Sequence, residues 1–151
     1  MRFVLSISLV LLLSACEQAE QAAPPPYQTK EGDVEFLMHM VLEPAADVIW
    51  DSAGFVLTAE GEEDLSPTTD EGWMKVQHSA AVLAESGNLM LLPGRSQPGD
   101  WNEISNGLTR ISLKAMAAAE AKDAEQLFEV GGQIYNVCVS CHQLYWLDRE
   151  S

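Results

Sequence analysis

Hydrophobic residues recur every three to four positions in four separate stretches of this chain, and no stretch shows the strict alternation that is typical of a strand. This periodicity predicts four helices, near residues 31–52, 70–86, 101–120 and 124–146. The residues predicted to face the core are Val34, Leu37, Met38, Val41, Leu42, Ala45, Val48 and Ile49; then Trp73, Val76, Ala80, Leu83 and Ala84; then Trp101, Ile104, Leu108, Ile111, Ala115, Ala118 and Ala119; and finally Leu127, Gly131, Ile134, Tyr135, Cys138, Cys141, His142 and Tyr145. An all-α, antiparallel four-helix bundle is the simplest architecture that buries four such faces.

Capping residues sharpen three of these helix boundaries. Thr69, Asp100 and Asp123 each precede an apolar stripe and are typical N-caps. Gly87 is followed by asparagine and is interpreted as the stop signal of the second helix. Residues 55–69 and 88–99 are interpreted as a linker and a loop.

The first predicted helix contains a proline at position 44. Pro44 has no amide hydrogen to donate to the carbonyl of Met40, and its ring collides with that carbonyl. We therefore expect a kink or a break in the first helix at this point.

The N-terminal stretch looks like a targeting segment. Residues 1–15 combine the basic Arg2 with a short apolar run and small residues, as secretory signal peptides do. The sequence ending at Cys16 resembles a bacterial lipobox, which implies cleavage before Cys16 and a lipid on its sulfur; an ordinary signal peptide that leaves Cys16 free is the alternative. Glu17 in place of aspartate favours the outer membrane. Residues 16–30 are predicted to be a disordered tether, and residues 31–151 the folded domain.

The charge of the chain limits its partners. Its 23 acidic residues outnumber eight basic ones, for a formal net charge of −15. This excess argues against binding to nucleic acid or to anionic lipid headgroups. It is compatible with redox partners that have basic surfaces, although solubility alone would also account for it.

A C-x-x-C-H motif, Cys138 to His142, lies near the C-terminus on the predicted fourth helix. This spacing is the attachment signature of c-type haem. On a helix, positions i, i+3 and i+4 share one face, so Cys138 and Cys141 can form thioethers with the haem vinyl groups while His142 ligates the iron. A chance match, a zinc site and a redox dithiol are the alternatives, but zinc usually takes four such ligands and a dithiol usually follows a strand.

Four helices with C-x-x-C-H on the last one resemble the cytochrome c′ family, the class II c-type cytochromes. Tyr145 matches the aromatic residue that the family carries three positions after the histidine. The resemblance implies one covalent haem c with His142 as the proximal iron ligand. Trp146 stands where the family often has a basic residue, a role that Arg149 is a candidate to fill, and Val34 stands where it often has arginine.

The same resemblance, counted back from Gly54, puts the distal haem position at Met38. In the family, methionine there implies six-coordinate, electron-transferring haem, whereas leucine or phenylalanine leaves the iron open to nitric oxide or carbon monoxide. Met38 on an apolar face also fits plain core packing, and the adjacent His39 is interpreted as a surface residue. The expected function is a periplasmic, lipid-anchored one-electron carrier rather than an enzyme.

Two other functions remain open. The first is a five-coordinate or methionine-displaceable haem protein that binds nitric oxide or carbon monoxide. The second is a structural lipoprotein with a vestigial haem. The resemblance to a family whose members often dimerise through their first two helices also makes a homodimer compatible with this sequence.

Overall fold

The computed structural model describes Tyr27 and residues 33–146. This part of the chain is mostly helical, with four helices and a small two-stranded sheet. The elements in order are α1 (Asp33–Leu37), a π-helical turn (Met38–Leu42), α2 (Glu43–Trp50), β1 (Phe55–Thr58), β2 (Gly61–Asp64), α3 (Asp70–Met90), α4 (Trp101–Ala121) and α5 (Ala124–Tyr145). The first three form one composite helix, residues 33–50, so the predicted number of helices is confirmed.

The predicted apolar faces meet in one core. α3 packs along α4, α4 packs along α5, and α2 contacts α3 and α5. Tyr135 is an exception to the prediction, because its side chain is exposed. Val130, which was not predicted to face the core, is buried in it. The residues without any accessible surface include Ile49, Val76, Ala80, Ala115, Leu127 and Ile134.

Two of the predicted N-caps form the expected hydrogen bonds. The Thr69 hydroxyl accepts from the amide of Gly72 at 3.1 Å, and the Asp123 carboxylate accepts from the amide of Gln126 at 2.9 Å. Asp100 occupies the N-cap position of α4 without a side-chain bond to the helix. Local sequence therefore sets the starts of α3 and α5.

Gly87 does not end its helix, and this prediction was wrong. α3 continues to Met90, and Gly87 is buried where α3 crosses α4. A Cβ atom at this position would overlap the Thr109 hydroxyl and lie 2.7 Å from the carbonyl oxygen of Ser105. The glycine is present because two backbones approach closely, not because the chain turns.

Pro44 disturbs the first helix without breaking it. The helix stays continuous, and the turn before the proline widens so that the amide of Glu43 donates to the carbonyl of Met38. A wider turn gives room to a proline ring that would otherwise meet the preceding carbonyl. Met38 is the first residue of this π-helical turn.

The stretch interpreted as a linker contains a β-hairpin. We did not predict it, because the sequence shows no strand-like alternation there. β1 pairs antiparallel with β2, from Phe55 opposite Asp64 to Thr58 opposite Gly61. Each strand has four residues and all of them are exposed, so no buried face imposes an alternating pattern on the sequence.

Some predictions concern parts of the chain outside the described residues. These are the signal peptide, the lipidated Cys16, most of the tether and Arg149. Among the helices that the structure describes, none combines the length and the apolar character needed to cross a membrane.

Candidate functional site

A cavity of about 580 Å³ lies between the start of the composite helix and the C-terminal end of α5. This volume falls within the range of roughly 300–1,000 Å³ that is typical of small-molecule and cofactor sites. The residues that line it are Val34, Glu35, Met38, His39, Gln97, Trp101, Cys141, His142, Tyr145 and Trp146. Residues from both ends of the described chain and from the α3–α4 loop thus meet at one site.

The C-x-x-C-H residues all lie on α5, as predicted. Cys141 and His142 line the cavity, and Cys138 is half-buried against the core one turn earlier. The two thiols are not joined by a disulfide. The helix therefore presents the motif on its inward side, next to the cavity.

Burial keeps both thiols protonated at neutral pH. It raises the pKa of the Cys138 thiol, and it raises the pKa of Cys141 to about 11 together with a smaller repulsion from Cys138. Cysteines of redox dithiols have the opposite property, since their reactive thiol has a lowered pKa. The environment of this pair is unlike that of a thioredoxin-type site.

The His142 imidazole is half-buried at the cavity wall. Burial lowers its pKa, while the charge of the Glu43 carboxylate acts in the opposite direction. A neutral imidazole is the form that binds metals. The Trp146 ring packs edge-on against His142, with 4.7 Å between ring centroids, and restricts the space that the imidazole can occupy.

Met38 lies on the wall that the composite helix contributes to the same cavity. Its side chain is half-buried, whereas that of Met40, two residues later, is 63% exposed. A thioether is a soft ligand that suits iron in haem proteins. The structure thus brings Met38 and His142, which are distant in sequence, to one site.

His39 lies at the surface, as predicted, with its side chain 50% exposed, and the residue also lines the cavity. The His39 ring nitrogen Nδ1 lies 3.0 Å from a Glu43 carboxylate oxygen. The His39 ring also packs edge-on against Trp146, with 6.4 Å between the ring centroids.

Two aromatic rings close the inner side of the cavity. Trp101 and Tyr145 pack edge-to-face, with 4.9 Å between the ring centroids. The indole of Trp101 donates to the carbonyl of Met90 at 2.8 Å, and the Tyr145 hydroxyl donates to that of Pro98 at 2.9 Å. The first bond joins the start of α4 to the end of α3, and the second holds the α3–α4 loop, which contains Gln97, against α5. No pattern in the sequence marks Gln97 as a residue of this site.

The donor set fits a covalently attached haem. It combines two half-buried thiols, an imidazole of lowered pKa, a thioether and aromatic walls around a cofactor-sized cavity. Within residues 33–146 no three His, Cys, Asp or Glu side chains are grouped so that they could hold a metal ion by themselves.

Comparison with protein-family models, curated proteins and solved structures finds no match to this chain. The resemblance to cytochromes c′ therefore depends on the C-terminal motif, on the order of the helices and on the position of Met38.

Proposed function

We propose that this protein is a monohaem c-type cytochrome that carries one electron. In this proposal it is an antiparallel four-helix bundle of the cytochrome c′ type, with haem c bound to Cys138 and Cys141 on the last helix. His142 and Met38 would ligate its iron. It is an electron carrier and not an enzyme.

The observation that supports this proposal best is that Met38, Cys141 and His142 line the same cavity. Nothing in a helical pattern requires the first helix to present a methionine to the motif on the last one. A methionine that served only as core packing would not need to lie at a cavity of cofactor size.

The residues of the site would each have a definite role. Haem bound there would supply the one-electron couple between ferric and ferrous iron. His142 binds as a neutral imidazole, and the Met38 thioether favours the ferrous state and raises the potential relative to a second histidine. Trp101 and Tyr145 exclude water from the inner wall, which favours the less charged ferrous form.

The position of the protein in the cell belongs to the same proposal. A lipid on Cys16 would hold the domain at the periplasmic face of a membrane, with the outer membrane favoured. The tether of residues 16–30 would reach about 50 Å if fully extended. That reach would let the acidic domain meet basic redox partners without leaving the membrane surface.

The test is the visible spectrum of the full-length holoprotein, oxidised and reduced, for the parent and for Met38→Ala, Met40→Ala and His142→Ala. We expect a low-spin spectrum with the weak red charge-transfer band of ferric methionine ligation. Met38→Ala should remove this band, and His142→Ala should remove the proximal ligand. Met40→Ala is the matched control and should leave the spectrum unchanged, because its side chain lies largely in solvent.

Other outcomes would replace the proposal. A high-spin spectrum that Met38→Ala does not alter, and that shifts when nitric oxide or carbon monoxide is added, would assign the site to gas binding. Absence of covalent haem from a protein exported with its own signal peptide, in a host able to attach haem c, would refute a c-type cytochrome.

A further inference from the structure

A second, smaller groove lies where the β-hairpin meets the N-terminal end of α5. Its volume is about 260 Å³, and it is lined by Gly54, Phe55, Glu62, Asp64, Ser66, Ala124, Glu125 and Phe128. The haem site does not use any of these residues. Phe128 precedes His142 by fourteen positions on α5, so about 21 Å of helix separates the two sites.

Two phenyl rings form the apolar part of this groove. Phe55 is 57% exposed and Phe128 is 58% exposed, which is unusual for large aromatic side chains that lie together. Gly54, at φ +82°, allows the Phe128 ring to approach the hairpin, because a Cβ atom there would lie 2.9 Å from the ring. The rings are thus held at the surface with their apolar area in solvent.

Carboxylates surround these rings. Residues directly opposite each other in an antiparallel pair share a face, so Asp64 lies beside Phe55 and Glu62 beside Leu57. Glu125 closes the other side from α5. Among residues 33–146, none of these three carboxylates forms an ion pair. The amide of Ser66 donates to Asp64 at 2.8 Å and lowers the pKa of that carboxyl, which keeps it ionised.

We propose that this groove binds a cationic side chain, best an arginine, presented by a partner protein with a basic and partly apolar surface. An arginine guanidinium stacks on aromatic rings and donates hydrogen bonds to carboxylates in its plane, while the aliphatic stem of the side chain covers apolar surface. The groove is of the right size for one side chain rather than for a cofactor. Its charge disfavours both a second copy of the same hairpin and an anionic membrane.

The distance between the two sites gives this surface a distinct role. A partner held at the hairpin would leave the cavity near His142 accessible to a different molecule. The inference does not require haem in that cavity, so it stands or falls independently of the proposed electron transfer.

The test is an NMR titration of the nitrogen-15-labelled full chain with a pentapeptide that has a central arginine between two leucines. We expect saturable amide shifts confined to the hairpin and to the first turns of α5, which weaken in about 1 M salt. The double substitution Glu62→Gln with Glu125→Gln should weaken binding about tenfold. Glu63→Gln is the matched control, since Glu63 lies on the other face of the same strand, and it should change binding less than about twofold.

Each contrary result would overturn the proposal. An absence of saturable shifts, or an equal loss of binding with Glu63→Gln, would point to unspecific charge. Equal binding of a peptide with a central glutamate would point to apolar contact alone. Shifts at the groove that depend only on the concentration of the protein itself would point to a second copy of the chain, and binding through the groove to vesicles of anionic lipid would point to a membrane.

Discussion

Two pairs of helices in this molecule are packed in opposite ways. α3 and α4 approach so closely at Gly87 that a methyl group would not fit between them. The start of the composite helix and the end of α5, in contrast, stand apart around a cavity of about 580 Å³. One pair is complete with its own side chains, whereas the other leaves space for a bound group.

The side chains at each interface account for the difference. Small residues, including Ala80, Ala84 and Gly87, occupy the buried face of α3, and small residues let helix backbones come close. The cavity end carries large side chains that stand around a space rather than filling it, among them Trp101 and Tyr145. We infer that the α3–α4 pair is a frame. It holds in shape the part of the molecule around the cavity, which we call the open end.

The largest effect should follow from preventing attachment at the open end. In the double variant Cys138→Ala with Cys141→Ala, we expect amide hydrogen exchange in residues 33–50 and 138–146 to accelerate at least about a hundredfold, because the cavity would lose the haem that we propose fills it. Exchange within the buried turns of α3 and α4 should change less than about threefold. Mass spectrometry of peptides from the exported parent and variant measures both regions at once.

A uniform acceleration over all helices would contradict this distinction between frame and open end. So would exchange that is the same in parent and variant, since the cavity would then be stable without any group bound at the two cysteines.

A smaller effect is expected from one methyl group in the frame. Gly87→Ala should lower the free energy of unfolding by about 1–3 kcal/mol, because the new Cβ overlaps Thr109 in a closely packed contact. Gly132→Ala, in α5, should instead raise it by about 0.5–1 kcal/mol, since nothing lies within 4 Å of its added methyl group and alanine favours a helix. Denaturant unfolding of both variants makes this comparison, and equal effects at the two glycines would show that α3 and α4 can separate at little cost.

The smallest effect concerns a buried hydroxyl. Ser112 on α4 is fully buried, and its Oγ has no hydrogen-bond partner among the described residues. Ser112→Ala should therefore raise the free energy of unfolding by about 1 kcal/mol. Ser86→Ala is the control, because that buried hydroxyl donates to the carbonyl of Val82 at 2.8 Å and should gain nothing from removal. A loss of stability with Ser112→Ala would mean that its hydroxyl has a partner in solution.

Much of the helical part of the fold could be predicted from local sequence. The apolar stripes identified the buried side of each helix, and Thr69 and Asp123 form the cap bonds that their positions indicated. Caps and stripes depend on neighbours within a turn or two, so a single stretch of sequence contains the information.

The errors have different physical origins. Gly87 looked like a helix stop because nothing local reveals that Thr109 lies against it. The hairpin at Phe55 was missed because it has no buried face to pattern it.

The sequence by itself determined that Cys138, Cys141 and His142 share one face of a helix, because the spacing within a turn follows from helix geometry alone. Only the tertiary structure decided that Met38 meets Cys141 and His142 at one cavity. That meeting depends on how the composite helix packs against the rest of the core, and this packing is not encoded within any single segment.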